Sequence, residues 1–498
     1  MKYQSTRNKT VKINSAQAIK QGISAEGGLF VPETIPFMEL FEIEALKELS
    51  YQMRAKAVLG KFLTDYTDEE LLECVSKAYS FDKIPVEEVA PVKKINHTMY
   101  MLELWHGPTC AFKDMALQIL PHLLTKAVKK TGEDKEIVIL VATSGDTGKA
   151  ALEGFKDVDG TRIQVFYPVD GVSEIQKLQM VTQEGKNVSV AAVKGNFDDA
   201  QTGVKKIFTD NEYKTELSEK GFAFSSANSI NWGRLVPQIV YYFSAYCDML
   251  KNNEIALGDK INICVPTGNF GNILAAYFAK RMGLPVNKFI CASNKNNILT
   301  DFLNTGVYDR NREFYTTTSP SMDIIISSNL ERLIYIASGF DDSLVNKCMN
   351  SLNTDGKYEL PENVFNIIKT DFSAGYCDDD MTKKTISEIF DEYGYVCDTH
   401  TAVAVKVYND YQALTGDNTK TVIASTANPF KFNKSVIEAL DSNIVCDSYD
   451  EFELLDILSH KGNISIPSSL AELKDKEIRF DKVYEKDKMI DAVNCFLV

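Results

Sequence analysis

The sequence lacks the residue spacings that announce metals, redox centres or nucleic acid. Its five histidines (97, 106, 122, 400 and 460) form no H-E-x-x-H or other paired spacing, so metal catalysis has no support. Ten cysteines include no C-x-x-C pair, which removes a zinc ribbon or a thioredoxin-type centre. Lys and Arg number 54 against 69 Asp plus Glu, a net charge of −15, and no basic run supplies the footprint of a nucleic-acid binder. No apolar run approaches the roughly 18 residues of a membrane span. The N-terminal MKYQSTRNKTVKINSAQ also lacks the apolar core of a signal peptide. Internal repeats and low-complexity stretches are missing too.

What is present is an ordinary globular balance: 498 residues, 44% hydrophobic and 25% charged. That length suggests about three domains and ample apolar surface for a core without staples. Several cysteines sit inside apolar runs, as in Asn262-Ile263-Cys264-Val265, where the thiol behaves as a small hydrophobe. This usage predicts a reducing compartment, the cytoplasm. The acidic balance does not forbid an anionic substrate, because a few placed cations or helix N-termini can hold a phosphate.

Residues 1–95 read as mostly helical after an irregular start, with capping-box spacing at Thr67-Asp68-Glu69-Glu70. From about 97 to 430, β-branched runs alternate with helix-length segments. The runs are Ile137–Ala142, Ile163–Tyr167, Val188–Val193, Ile261–Val265, Phe289–Ser293 and Val422–Ser425. Nearly continuous apolar strands of this kind predict parallel sheets covered on both faces. The last 60 or so residues are more charged and less periodic, and predict an outer packing segment.

Four segments carry candidate chemistry. In His106-Gly107-Pro108-Thr109-Cys110-Ala111-Phe112-Lys113-Asp114 a turn delivers one lysine to the start of an apolar helix. A desolvated lysine there can attack carbonyls; a solvated surface lysine is the plainer account of the segment taken alone. Thr143-Ser144-Gly145-Asp146-Thr147-Gly148-Lys149 follows a strand and opens a helix, a nest for carboxylate or phosphate. Two residues between its glycines, where a Walker A loop needs four, exclude a P-loop. Thr267-Gly268-Asn269-Phe270-Gly271-Asn272 repeats the arrangement with no acidic residue to repel an anion. Ser425-Thr426 closes a strand, where a hydroxyl can meet a heteroaromatic nitrogen or simply end a turn. Arg234, in the first turn of a helix entered through Asn228-Ser229-Ile230-Asn231, opposes the helix dipole and so suggests a facing anion. Asp378-Asp379-Asp380 reads as a dipole-matched helix start.

Taken with Tyr3-Gln4-Ser5-Thr6-Arg7, Gly27–Glu33, Met322-Asp323, Ser327–Leu333 and His400–Ala404, these segments resemble threonine synthases over roughly residues 1–440. Those are pyridoxal-phosphate (PLP) enzymes of fold type II. The resemblance implies an α/β, tryptophan synthase β-like fold of two parallel-sheet subdomains with helices on both faces, plus a mostly helical N-terminal domain. The implied division is 1–96, a large PLP-binding domain of 97–130 and 236–440, a smaller mobile subdomain of 131–235, and a C-terminal packing segment of 441–498. Lys113 would form the Schiff base and move protons. Gly268, Asn269, Phe270, Gly271 and Asn272 would cradle the cofactor phosphate, and Thr426, with Ser425 close by, would meet the pyridine nitrogen. Ser144, Gly145, Asp146 and Thr147 would take the substrate carboxylate. Arg234, with Asn228 and Asn231, would take the substrate phosphate, for which Lys149 is also available. The implied activity is a lyase that makes L-threonine and phosphate from O-phospho-L-homoserine and water by γ-elimination and β-addition. The resemblance further implies a monomer or weak homodimer with a small-molecule substrate and no nucleic acid or membrane partner. A serine/threonine dehydratase-like lyase of the same fold type is the second reading, and a silent PLP- or phosphate-binding regulator the third. The long N-terminal region and its Ser-Thr-Arg favour the first.

Overall fold

The computed structural model describes residues 1–498 apart from Ser144, Asp170, Gly171, Val498 and the Asp198 side chain. Its centre is a six-stranded sheet ordered Phe372–Tyr376, Val286–Ser293, Ile261–Pro266, Thr421–Ser425, Met99–Glu103 and Val92–Lys94. All neighbours pair parallel except the last two strands. A second sheet, parallel throughout, runs Val483–Glu485, Val188–Lys194, Thr161–Pro168, Glu136–Ala142 and Phe222–Ser225. Along a strand, successive side chains point to opposite faces. Ile137, Ile139 and Val141 therefore join the core shared with the rest of the molecule, while Val138 and Leu140 build a separate core under the helices Phe197–Thr209 and Met489–Leu497. In the large sheet Ile263 and Val265 face one core and Cys264 the other. Burial on both faces accounts for the unbroken apolar runs.

The first residues depart from the expected irregular start. Asn8–Ile13, Tyr3–Ser5 and Phe30–Pro32 form a three-stranded antiparallel sheet. Its strands span only three to six residues, too short for a clear period-two signal, and tertiary partners hold it. The Tyr3 hydroxyl donates to the Phe62 carbonyl (3.0 Å), and Tyr3, Phe62 and Phe278 pack edge-on to Trp232. Helices Tyr51–Phe62 and Asp68–Ala78 follow, the second capped by Thr67 and Glu70 in the reciprocal box its spacing predicts.

The C-terminal stretch is more than a cover. Glu451–Gly462 belongs to the large-sheet core, whereas Val483–Glu485 adds an edge strand to the second sheet and Met489–Leu497 covers its outer face. A three-residue edge strand is too short to announce itself by period. No helix among the described residues is long and apolar enough to cross a membrane.

Candidate active site

Four loops meet where the strands of both sheets end at their carboxyl termini, the usual ligand position in open α/β sheets. The first leaves Met99–Glu103 and carries Lys113. It is zipped to the segment after Thr421–Ser425: the Phe112 N–H donates to the Thr426 carbonyl (2.8 Å), and the Asn428 N–H to the Cys110 carbonyl (3.0 Å). Cys110 takes a left-handed conformation (φ 59°) to make this turn. Gly107 is required by close approach, since a Cβ there would lie 2.5 Å from an Asp114 carboxylate oxygen. Buried Asp114 accepts from the Thr109 N–H (2.8 Å) and hydroxyl (2.7 Å), and burial pushes its carboxyl up to about 6.

The Lys113 Nζ lies 3.1 Å from the Ser321 Oγ and 3.4 Å from Asp146 Oδ2. Burial pulls its proton affinity below that of an ordinary lysine; Asp146 opposes this, and Lys431 and Arg234 add to it. The lysine is thus not the solvated surface residue that its segment alone allows.

The second loop ends Glu136–Ala142. The Thr143 hydroxyl accepts from the Gly145 N–H (3.0 Å) and the Gly148 N–H (2.9 Å), which folds the turn and opens the helix Asp146–Phe155. Gly145 sits at φ 144°, and a Cβ there would lie 2.5 Å from the Gln176 side chain. Asp146 points inward and accepts from Lys431 (2.6 Å) and Gln176 (2.9 Å). Burial alone would raise its carboxyl, but Lys431 and Lys113 hold it well below the usual carboxylate range. Thr147 is half-buried on the same turn, and Ser144 lies outside the described residues. Lys149 turns away to Glu153 (3.2 Å) and Gln183, so it is not free for a substrate phosphate.

The third loop follows Ile261–Pro266. Phe270 adopts φ 63° and starts the helix Gly271–Arg281, whose first N–H groups lack intrahelical acceptors. Ser327 donates its hydroxyl to the Gly268 carbonyl (2.8 Å), and the Asn329 N–H donates to the Asn269 carbonyl (3.1 Å). Asn272 Oδ1 accepts from Tyr241 (2.7 Å) and Tyr242, while its Nδ2 is buried with no partner among the described residues. Arg332, fully buried, donates to the carbonyls of Phe30 (3.1 Å) and Ile230 (2.6 Å), and thereby ties the N-terminal sheet to this region. Thr6 and Arg7 do the same through Glu331, Arg7 at 2.7 Å.

The remaining predicted residues divide. The Ser425 hydroxyl is engaged by Trp105 (2.9 Å) and Thr401 (3.2 Å), whereas the Thr426 hydroxyl makes no side-chain hydrogen bond among the described residues. Arg234 is buried, donates to the Ala227 carbonyl and keeps an Nε with no partner among the described residues; burial pushes it down to about 10. Asn228 is exposed nearby. Asn231 is fully spent: its Oδ1 caps the helix at the Gly233 N–H (2.8 Å) and its Nδ2 donates to the Ile19 and Ser226 carbonyls (both 2.9 Å). The capping account of that asparagine holds, and no group of it is left for a phosphate.

Sequence reasoning passed over Lys431, Ser321 and Gln176. A single lysine inside Pro429-Phe430-Lys431-Phe432 was the available signal, since lysine is rarely buried without a partner. His400, present in the resemblance, accepts from the Ser321 N–H at Nε2 (3.2 Å) and faces Asp398 through Nδ1 (2.9 Å).

Among the described residues, an orphaned donor at Asn272, unsatisfied N–H groups at a helix start, a desolvated lysine and an unengaged hydroxyl at Thr426 fit a ligand with a phosphate, an aldehyde and a ring nitrogen. PLP has those three groups. Comparison with known proteins agrees. The family models described as "Threonine synthase N terminus", "Pyridoxal-phosphate dependent enzyme" and "Threonine synthase, C-terminal" match residues 2–79, 81–426 and 401–494. The chain is 40% identical to human "Threonine synthase-like 1" over 85% of its length, but spans only 58% of that relative. It is 36% identical to the threonine synthase of Saccharomyces cerevisiae, covering 88% of this chain and 89% of that one. The crystal structure of PLP-bound threonine synthase from Brucella melitensis superposes with a TM-score of 0.88 at 35% identity, covering 100% of this chain and 99% of that one.

Proposed function

The chain belongs to the threonine synthase family of pyridoxal-phosphate-dependent enzymes, and from that premise we propose that it converts O-phospho-L-homoserine and water to L-threonine and phosphate. The observation that carries the proposal is the Lys113 nitrogen set among the ends of both sheets, with buried Arg234 near enough to act on its charge. Bound PLP supplies an electron sink for a carbanion at the substrate carbon attached to it.

The chain's own residues do the rest. Lys113 would hold the cofactor covalently and would move protons between substrate carbons; its lowered proton affinity suits a base. The 268–272 turn and the Asn272 amide would hold the cofactor phosphate, and the Thr426 hydroxyl would meet the ring nitrogen. At the 143–148 turn, Thr143 already consumes the N–H groups of Gly145 and Gly148. The substrate carboxylate is therefore received by the Asp146 and Thr147 N–H groups, with Gly145 shaping the turn. Arg234, with Asn228 at the rim, binds the substrate phosphate, and Asn231 positions that helix start. Closure of the 131–235 region over the ligand excludes water until the addition step. All ten cysteines are unpaired, which supports a reducing, cytoplasmic setting.

The test is to load the protein with PLP, add O-phospho-L-homoserine and quantify phosphate and threonine together. Equal yields support the proposal. Phosphate with 2-oxobutyrate would replace it with elimination alone, and neither product would sink it.

A further inference from the structure

Two lysines, not one, lie against Asp146. Lys113 approaches Oδ2 at 3.4 Å and Lys431 approaches Oδ1 at 2.6 Å. Lys431 is completely buried, and its ammonium also donates to the Thr109 carbonyl at 2.9 Å, in the loop that delivers Lys113. A buried charge survives only when paired and hydrogen-bonded. These contacts therefore hold the Pro429–Phe432 turn, the Lys113 loop and the Asp146 helix in one arrangement.

The pairing has a chemical consequence. A lone carboxylate beside Lys113 would favour its ammonium, which is neither a nucleophile nor a base. The closer partner, Lys431, neutralises that carboxylate. We propose that Lys431 is a positioning residue for the reaction, one that claims Asp146 as its own counter-ion and so frees the Lys113 nitrogen to act. The proposal rests on the assignment of Lys113 as the reacting lysine. The other ionisable groups facing this cluster are Arg234 from the helix Trp232–Lys251, Asp114 and Cys110 from the lysine loop, and His400 through Ser321. None of them makes a side-chain hydrogen bond to either lysine or to Asp146 among the described residues.

The experiment compares wild type with Lys431→Met, Lys431→Arg and the double variant Asp146→Asn/Lys431→Met, all full-length. The first readout needs no cofactor: the rate at which acetic anhydride acetylates Lys113, followed by mass spectrometry against pH. Loss of Lys431 is expected to move the midpoint up by about one pH unit or more, a tenfold loss of free amine at a given pH below it. Lys431→Arg keeps the midpoint near wild type, and the double variant returns most of the shift because the carboxylate goes too. In the PLP-loaded protein, Lys431→Met lowers kcat by roughly tenfold or more with little change in KM, since the lost interaction governs proton transfer and not substrate binding. A midpoint unmoved in Lys431→Met, or equally raised in the double variant, overturns the proposal. If Lys431→Met does not fold, the double variant, which leaves no unpaired charge, decides it against Lys431→Arg: a midpoint well above that of Lys431→Arg overturns the idea. Failure of the underlying reading looks different. Borohydride would then fix no PLP on Lys113 in wild type, whatever the acetylation midpoints do.

Discussion

The turn at 267–272 and the turn at 143–148 both end a parallel strand and open a helix, yet they are held by different means. The first is gripped from outside: Ser327 and Asn329 take its carbonyls, and Tyr241 and Tyr242 take the Asn272 side chain. The second is folded by its own Thr143 hydroxyl and reaches across the cleft through the Asp146 side chain to Lys113 and Lys431. In the proposed roles, the cofactor phosphate is bound once and needs a rigid cradle. A substrate carboxylate comes and goes, and a turn that is stable by itself but crosses the cleft through charge suits a surface that opens and closes.

Substitutions sharpen that contrast, beginning with the lysine on which the proposed chemistry turns. Lys113→Ala should lower turnover by about a thousandfold or more and abolish the borohydride-stable PLP adduct, as read by phosphate release and mass spectrometry. Gly268→Ala attacks the rigid cradle. Its Cβ would lie 2.9 Å from the Ser321 carbonyl, and PLP binding, measured by equilibrium dialysis, should weaken by about tenfold or more, with a smaller change in substrate KM. Thr143→Val attacks the self-folded turn. Two buried N–H groups lose their acceptor, so KM should rise roughly five- to thirtyfold while PLP affinity stays near wild type. Equal effects of the two changes on cofactor and substrate would erase the distinction between the turns.

The smallest effect concerns the lysine loop. Asp114 titrates near 6 when folded and lower when unfolded, so the folded state holds the extra proton between about pH 4 and 6. Its contribution to stability is then present below that window and falls as pH rises through it. The stability of wild type relative to Asp114→Asn should decline by about 1 to 3 kcal/mol from pH 4 to pH 6.5, measured by urea denaturation. A flat difference would contradict this.

The legible parts of the site were local ones. Lys113, Gly268–Asn272 and the 143–148 turn each sit in a short segment whose glycines, strand run and helix start are contiguous. Arg234 stands out in the sequence because an arginine in a first helical turn conflicts with the dipole, and the structure buries it. Asn228 and Asn231 read alike in sequence, but only the fold shows that one is exposed and the other is exhausted by a cap and two carbonyls. Ser321 lies 208 residues from Lys113, with no local pattern to mark it. Of the three strands in the first 32 residues only Phe30–Pro32 is marked in the sequence, by the Gly27-Gly28 turn that leads into an extended segment; the other two are short and take their partners from far along the chain.

By itself the sequence determined the fold class and the chemical repertoire. Buried parallel strands need apolar runs, and anion-binding turns need glycine at a strand end, and both are written within a few residues. The tertiary structure alone decided the electrostatic surroundings of the Lys113 nitrogen. Coulombic forces depend on distance through space, and Lys113, Asp146, Lys431 and Arg234 become neighbours only when four separate elements converge.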